Sequence, residues 1–590
     1  MSNLVFDIEA DGLTPTKIHC IVAMDVDTKD VFTFDNTQLE EGYSMLQAAT
    51  KLIGHNIIGY DIPVVERLGR IDLSDKKVVD TLVLSRLFKP TREGNHGLEA
   101  WGYRLGFKKG DFGEQEQAWE KYTPQMLEYC KRDVVLNHKV YNALKHESKG
   151  FTPTSVRIEH GTARIVDQQR NNGFLLDIRK AMGLVAMFET KLYELEEEVQ
   201  KEFQATVEKK ILTHSYTATG KVAKTAKDQH GKGVRLTDKE YETFTMYQNP
   251  KPIIRETTTD FNLGSRKQIG EYLIRSGWKP KKFTPTGQPI VDEGILKKVK
   301  GIPQAALIAK YLMIQKRLAQ VKSWLKELDD DTGRVHGYVN PNGAVTGRMT
   351  HSHPNMAQIP SSSSPYGKEC RSCWVVPKDY KLVGIDASGL ELRMLAHYLN
   401  DEGYTNEILN GDIHTTNQKL AGLESRNQAK TFIYALLYGA GDAKLGSVAN
   451  RGRASGKGLR QRFFDNLPSF KTLTDRVQRE ATSGFVKGLD GRRLTVRSEH
   501  AALNTLLQGA GAIVMKKALI ILDQKITNHG YDAKFVANVH DEWQIECHLD
   551  DAVEVGKLGV QAIREAGCIF NLNCPLDGDY KVGENWSETH

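Results

Sequence analysis

Cysteine is scarce. There are seven in 590 residues, an odd number and mostly scattered. That count argues against a disulfide framework and for a reduced, intracellular chain. Cys370 and Cys373 form a lone CxxC, with no second pair and no His at ligand spacing, so ordinary thiols are expected rather than zinc. No apolar run reaches the length of a membrane span. No leader precedes the first strand, which starts at Leu4 and runs straight into acidic residues, so a cytoplasmic protein is expected. A strong charge of one sign is also missing. The net charge of +6 and pI near 8.6 hint only weakly at a polyanionic partner. What is present is length: 590 residues exceed a single core and imply three or four domains. A content of 40% hydrophobic and 26% charged residues describes a globular protein.

One stretch organises the rest: KLVGIDASGLELRMLAHY, residues 381–398. A short apolar run ends at Asp386, and Leu390, Met394 and Tyr398 then follow at helical spacing. A carboxylate where a buried strand turns into a helix is aimed at a cleft. For one Asp an ordinary cap would be favoured. Asp541, about 150 residues on in VHDE, changes the balance. It sits at the tip of a predicted hairpin in which Phe535, Ala537 and Val539 alternate, followed by Trp543, Ile545 and Cys547. Two Asp from separate strands can hold two Mg²⁺ ions about 3.5–4 Å apart, the arrangement that drives in-line phosphoryl transfer.

A second acidic set lies near the start. Asp7 and Glu9 are two apart in a predicted strand and share a face. Asp61 follows in NIIGYD. Tyr129 and Asp133 are four apart on a predicted helix and point the same way. Four carboxylates in one pocket repel unless cations neutralise them. The set suits two-metal phosphodiester hydrolysis, with the tyrosine hydroxyl orienting water. Each piece alone is common; all three in order within 135 residues are specific. They resemble the DEDD-type 3′–5′ exonucleases of the tyrosine subclass. Asp80, beside a buried run, reads as a structural cap.

Between these sets the patterns change. A helix is predicted from Ile178, with Leu184, Phe188, Leu192, Leu195 and Val199 on one face. After Pro303 a 3.5-residue repeat runs through Leu307, Tyr311, Ile314, Leu318, Val321, Leu325 and Leu328. Lys310, Lys316, Arg317, Lys322 and Lys326 decorate it. Paired, the two helices make an arm that could follow a phosphate backbone; an ordinary helical hairpin is an equal reading. Residues 203–260, rich in Lys, Thr and Gly, lose periodicity. They read as a basic loop, or alternatively as a docking element.

The helix predicted from Arg426 is the most informative. Ser425 and Gln428 form a capping box. Arg426, Lys430, Tyr434 and Tyr438 fall four apart, and Gly439-Ala440-Gly441 ends the helix. A face cationic at one end and aromatic at the other suits a nucleoside triphosphate lying along it. His414 lies just upstream and could add a phosphate contact. The turn-rich VNPNGAVTGR, ending at Arg348, suits minor-groove contacts.

With VNPNGAVTGR, IDASGLELR, GDIHTTNQ, AKTFIYALLYGAG, HAALNTLLQ and VHDEWQ in place, the chain resembles the family A DNA polymerases. It is most similar to their T-seven-like phage branch, over nearly its whole length and least over 203–260. The resemblance implies a multidomain α/β protein: a ribonuclease H-like DEDD exonuclease domain followed by a right hand. Expected boundaries are 1–150 for the exonuclease, 151–177 for a linker and 178–330 for the thumb with its insertion. The palm follows at 331–403, fingers at 404–494, and palm again at 495–590. Asp386 and Asp541 would hold the catalytic Mg²⁺ ions, two per active site with Mn²⁺ as a substitute, and Glu542 would support them. Asp7, Glu9, Asp61 and Asp133 would hold those of the nuclease. Arg426 and Lys430 would bind the triphosphate, with Lys430 a proton donor to pyrophosphate. Tyr438 would stack near the templating base, and Arg348, Gln508 and His540 would sense the primer terminus. Glu391 would exclude a ribose 2′-hydroxyl. Tyr434 stands where many relatives have Phe, which implies tolerance of dideoxynucleotides. Ala387 and Gly389 follow the phage pattern, and His500 replaces a common Arg. Implied partners are primer-template DNA, dNTPs, a helicase-primase and a thioredoxin-like host protein at 203–260. A single-subunit RNA polymerase, a relic DNA-binding protein and a pure nuclease are the rival readings.

Overall fold

A computed structural model describes every residue except 1, 111, 115, 116, 203, 204, 248, 249 and 451. The chain divides into two units, Met1–Ile178 with Trp324–His590, and Arg179–Ser323.

The first unit begins with a five-stranded sheet. The strand Asn3–Ala10 lies at its centre, antiparallel to Ile18–Asp25 and parallel to Lys51–Gly54. Alternation sorts its side chains by face. Leu4, Phe6 and Ile8 join one core, while Val5 joins another with Met126, Cys130 and Val134 of the helix Pro124–Glu147. Asp7 and Glu9 follow Val5 by period two and so face that helix. Asp80 accepts from the backbone amides of Leu82 and Val83 and of Asn56 and Ile58, which is the cap its position suggested.

The later part of this unit is built on a four-stranded antiparallel sheet. Tyr380–Ala387 lies at its centre, flanked by Glu542–His548 and Gly578–Gly583, with Ala533–Val539 beyond. The helix Ala502–His529 packs on it. By length and composition the stretch Glu499–His529 could cross a membrane, which corrects the expectation that no run is long enough. Most of that stretch is buried in protein, so its apolar residues are those of a core helix. Helices Glu402–Asn410 through Pro468–Ala481 form a bundle beside the sheet.

The second unit carries most of the two predicted long helices. Ile178–Glu202 buries Leu184, Phe188, Leu192, Leu195 and Val199 as expected. Gln304–Lys326 stops two residues early. Leu328 belongs to a short strand paired with Arg334–Val335, and Ile308 and Leu312 are buried where Leu307 and Leu318 are only partly so. Tyr311 donates to Glu196 at 2.7 Å and Lys322 to Glu189 at 2.7 Å, tying the helices as a pair. Residues 203–260 are not a loop. Apart from 203, 204, 248 and 249, which lie outside the described residues, they form a small module. Its base is the ribbon Thr206–Leu212 with Ile253–Thr259, and it adds a hairpin and the helix Asp238–Thr245. Leu212, Ala226, Leu236 and Phe244 make its core.

Candidate active sites

The first acidic set converges. Asp61 opens the helix Asp61–Gly69 and accepts from the Ile8 amide at 3.1 Å, which fixes it at the Asp7–Glu9 strand. Asp133 reaches the same face from the helix Pro124–Glu147. Burial, then the charges of Asp61, Glu9 and Asp133, holds Asp7 well above the usual carboxylate range. Burial, then Asp133, does the same to Glu9, and burial pushes Asp61 up to about 7. Atoms of Asp7, Glu9 and Cys130 lie within 4.8 Å of one another. One oxygen of the buried Asp133 carboxylate has no partner among the described residues. A nest of mutually raised carboxyls with an unpartnered oxygen fits divalent cations. The sequence reading missed Lys109, whose ammonium stands 2.8 Å from Asp133 and 5.0 Å from the centre of the Tyr129 ring. No motif marks it, for it lies on a loop 24 residues before its partner.

The second set lies at the sheet of the later half. Asp386 pairs in register with Glu542 on one side and Asp579 on the other. Asp541 sits in the turn before Glu542, its carbonyl accepting from the Ala387 amide at 3.2 Å. His540 takes φ +59 to make that tight turn. Burial, then Asp541 and Glu542, pushes Asp386 up to about 7. Burial also raises Asp541. Glu542 behaves oppositely. Burial alone would raise it, but His590 at 2.7 Å, Arg371 and the Trp586 indole outweigh that and keep it ionised. Gln544 also donates to it, at 2.6 Å. Its carboxylate is thus committed to a buried network beside Asp386. Here too raised carboxyls share a cleft, the donor chemistry of a divalent-cation site. Asp579 and His590 were not legible: one pairs only through the register, and the other is an isolated residue.

The helix Arg426–Leu437 has its capping box, and Tyr438 takes the C-cap position. Gly439 follows at φ +72, where a side chain would strike the His500 carbonyl. The Tyr438 hydroxyl donates to Glu391 at 2.9 Å, and Arg348 pairs with the same carboxylate at 3.0 Å. Burial, then Glu391 and Asp541, raises the Tyr434 phenol, which places that ring at the same cleft. Lys430 is exposed. Arg426 is exposed too and pairs with Asp412 at 2.7 Å. His414 lies 6.4 Å from the Tyr434 ring, centre to centre, and burial with the charges of Arg426 and Lys430 lowers it. Arg348, His540 and Asp541 line one cavity together with Gly511 and Ala512. Gln508 lies three and four residues before those two on one helix, on the same face.

Acids at one end of a sheet, with Tyr434 of the capped helix at the same cleft, are the makings of a polymerase site. Residues 237–588 match DNA polymerase family A, and the chain belongs to that family. It is 35% identical to the DNA-directed DNA polymerases of Enterobacteria phage T3 and Escherichia phage T7, over 710 aligned positions spanning all of each chain. It is 30% identical to DNA polymerase I of Pseudomonas aeruginosa over 56% of this chain and 39% of that one. The fold is shared with the POL domain of Pol1 from M. smegmatis, solved with primer-template and dNTP. The TM-score is 0.76 at 19% identity, over 99% of this chain and 95% of that one.

Proposed function

We propose that this chain is a replicative, phage-type DNA-directed DNA polymerase with a 3′–5′ proofreading nuclease in residues 1–150. The observation that supports it most is the meeting of Asp386 and Asp541 at one sheet end with Tyr434 of the Arg426 helix at the same cleft. Family membership at 35% identity along the full chain supports the same reading. The remaining domains are read as thumb over 178–330, palm over 331–403 and 495–590, and fingers over 404–494.

Asp386 and Asp541 would hold two divalent ions, read as Mg²⁺, which would supply neutralisation of phosphate charge and a lowered pKa at the primer 3′-hydroxyl. The 3′-oxygen attacks the α-phosphorus of a dNTP, the α–β anhydride bond breaks, and pyrophosphate leaves. Arg426, His414 and Lys430 grip the triphosphate, and Lys430 gives a proton to the departing pyrophosphate. Arg426 must exchange Asp412 for phosphate as it does so. Glu391, held by Tyr438 and Arg348, stands where a ribose 2′-hydroxyl would project. Arg348, Gln508 and His540 contact the primer end, and Tyr438 stacks near the template.

In the N-terminal site Asp7, Glu9, Asp61 and Asp133 would hold the ions. Tyr129 orients water toward the last phosphodiester, and a deoxynucleoside monophosphate leaves. The module at 203–260 serves as a docking site for a processivity partner, read as a thioredoxin-like host protein. Val207, Ile211, Met246, Tyr247 and Ile254 are exposed on it, which supports that reading. A helicase-primase and the host cytoplasm complete the setting.

Primer extension on a primed single strand tests both sites. Wild type should extend, Asp541→Ala should only degrade, and Asp7→Ala should only extend. Extension by Asp541→Ala would overturn the assignment.

A further inference from the structure

Among the described residues, Lys109 is the one cation within ion-pair distance of the N-terminal carboxylates. Burial alone would lower its ammonium. Asp133 outweighs that and holds it above its ordinary range. The same charge is felt by Asp7 and Glu9, lowering both. Lys109 stands in a cleft of about 730 Å³, with Lys108, Arg132, Tyr129, Trp119 and Tyr103 on its walls. That volume holds one or two nucleotides. Its walls offer cations for phosphates and rings for bases.

Charge balance gives the residue a task. Four carboxylates carry about four negative charges, and two divalent ions cancel them. A phosphodiester arriving on top brings one more negative charge. Of the cations on these walls, Lys109 is the one already paired with a carboxylate of the set, so it can pass from Asp133 to the phosphate. Without a strand, the same ammonium sits on Asp133 and occupies a donor that a second ion needs. We propose that Lys109 is a resident counter-cation that holds Asp133 until a phosphodiester takes it over. The nuclease site then binds its second ion weakly in the free enzyme and tightly once a strand end has entered. This rests on the nuclease reading above.

The test is direct cation binding. The full chain is used with Asp386→Ala and Asp541→Ala, so that the other site binds no ions, and Mn²⁺ is titrated at pH 8 by electron paramagnetic resonance. Lys109→Met should tighten the weaker Mn²⁺ by about tenfold or more, the scale on which a neighbouring charge shifts a carboxylate. Lys109→Arg should leave it weak. With Lys109 in place, a single strand ending in a charged phosphorothioate linkage should tighten the weaker ion. One ending in a neutral methylphosphonate should not. Superimposable isotherms for Lys109→Met and Lys109, or equal effects of the two strands, would overturn the proposal. The two-strand comparison needs no variant at Lys109 and stands if Lys109→Met does not fold. Asp7→Ala separates the two ideas. If it leaves Mn²⁺ binding unchanged, the nuclease reading itself fails.

Discussion

Tyr438 and Glu391 are joined by a hydrogen bond of 2.9 Å from the phenol to the carboxylate, and Arg348 holds the same carboxylate from the other side at 3.0 Å. Glu391 therefore cannot swing away from the cleft without losing two partners. On the proposed sugar-selecting role, a carboxylate held this rigidly rejects an added hydroxyl better than a mobile one. Glu391→Ala should raise ribonucleotide incorporation relative to deoxynucleotide on the order of 10²-fold, the discrimination that pocket shape can give against an added hydroxyl. Tyr438→Phe removes one tether and should give a smaller rise in the same direction. Single-nucleotide kcat/KM values for rNTP and dNTP measure both, and an unchanged ratio in Glu391→Ala would remove this residue from sugar selection.

The raised carboxyls make stability depend on pH in a definite direction. Asp61 and Asp386 sit at about 7 in the folded protein without metal, whereas an unfolded Asp titrates near 3.9. Between roughly pH 4 and 7 the folded state thus binds more protons than the unfolded one, and stability falls as pH rises through that window. Melting in EDTA should give a lower Tm at pH 8 than at pH 5, and Asp61→Asn and Asp386→Asn should each flatten the trend. Mg²⁺ should restore Tm at pH 8 and do little at pH 5. A Tm that rises from pH 5 to 8 in EDTA would contradict the cause given for these shifts.

A buried ion network ties the linker helix Pro153–Asn172 to the later half of the chain. Lys516 donates to Glu159 at 2.7 and 2.8 Å and to Asn342 at 3.0 Å. Arg492 pairs with Glu159 and with Asp490. All four charged groups are buried. Glu159→Ala strands Lys516 beside a cation and should cost about 3–5 kcal/mol. Glu159→Leu with Lys516→Met removes both partners, leaves Arg492 its Asp490, and should recover most of that loss. Denaturant melts of the three proteins decide it, and a double variant no better than Glu159→Ala would mean the network is more than a sum of pairs.

Much of this is legible because the chemistry sits in short spacings. Asp7 and Glu9 share a strand face, Tyr129 and Asp133 a helix face, and Arg426, Lys430 and Tyr434 another. Lys109, Asp579 and His590 escape because each reaches its partner only through the fold: a loop, a strand register, and a single distant residue. The module at 203–260 reads as a loop for a related reason. Its core is four side chains, Leu212, Ala226, Leu236 and Phe244, spread too far apart to show a period. The helix Ala502–His529 hides its length because Gln508, Gly509 and Gly511, with Lys516 and Lys517, interrupt what is otherwise largely apolar.

The small module gives the next prediction. It is folded on its own core and shows apolar residues such as Met246 and Ile254 to solvent. A folded insertion with exposed apolar side chains suits a protein partner better than a phosphate backbone. Replacing residues 206–259 by a short Gly-Ser linker should leave single-nucleotide addition within about twofold, since surface changes away from a site cost little. It should shorten the product made per binding event in the presence of host extract. Product length under a heparin trap measures this, and unchanged length would end the docking role.

Tyr434 carries the last prediction. Its ring lies 6.3 Å from Tyr438 and 6.4 Å from His414, centre to centre, so it is held between two neighbours. Burial and the nearby charges of Glu391 and Asp541 keep its phenol protonated. On the proposed nucleotide-binding role of this helix, a protonated hydroxyl there donates where a nucleotide 3′-hydroxyl would otherwise sit. A dideoxynucleotide would then lose little, because the enzyme would supply the missing group. In Tyr434→Phe nothing replaces it, and the polar groups it served are left unpaired, at a cost of about 1–3 kcal/mol. Discrimination against dideoxynucleotides should therefore rise by roughly 10- to 100-fold in Tyr434→Phe, with dNTP addition much less affected. Chain-termination ladders from the two proteins at equal ddNTP:dNTP ratios measure it. Equal ladders would show that the hydroxyl takes no part in selecting the 3′ position.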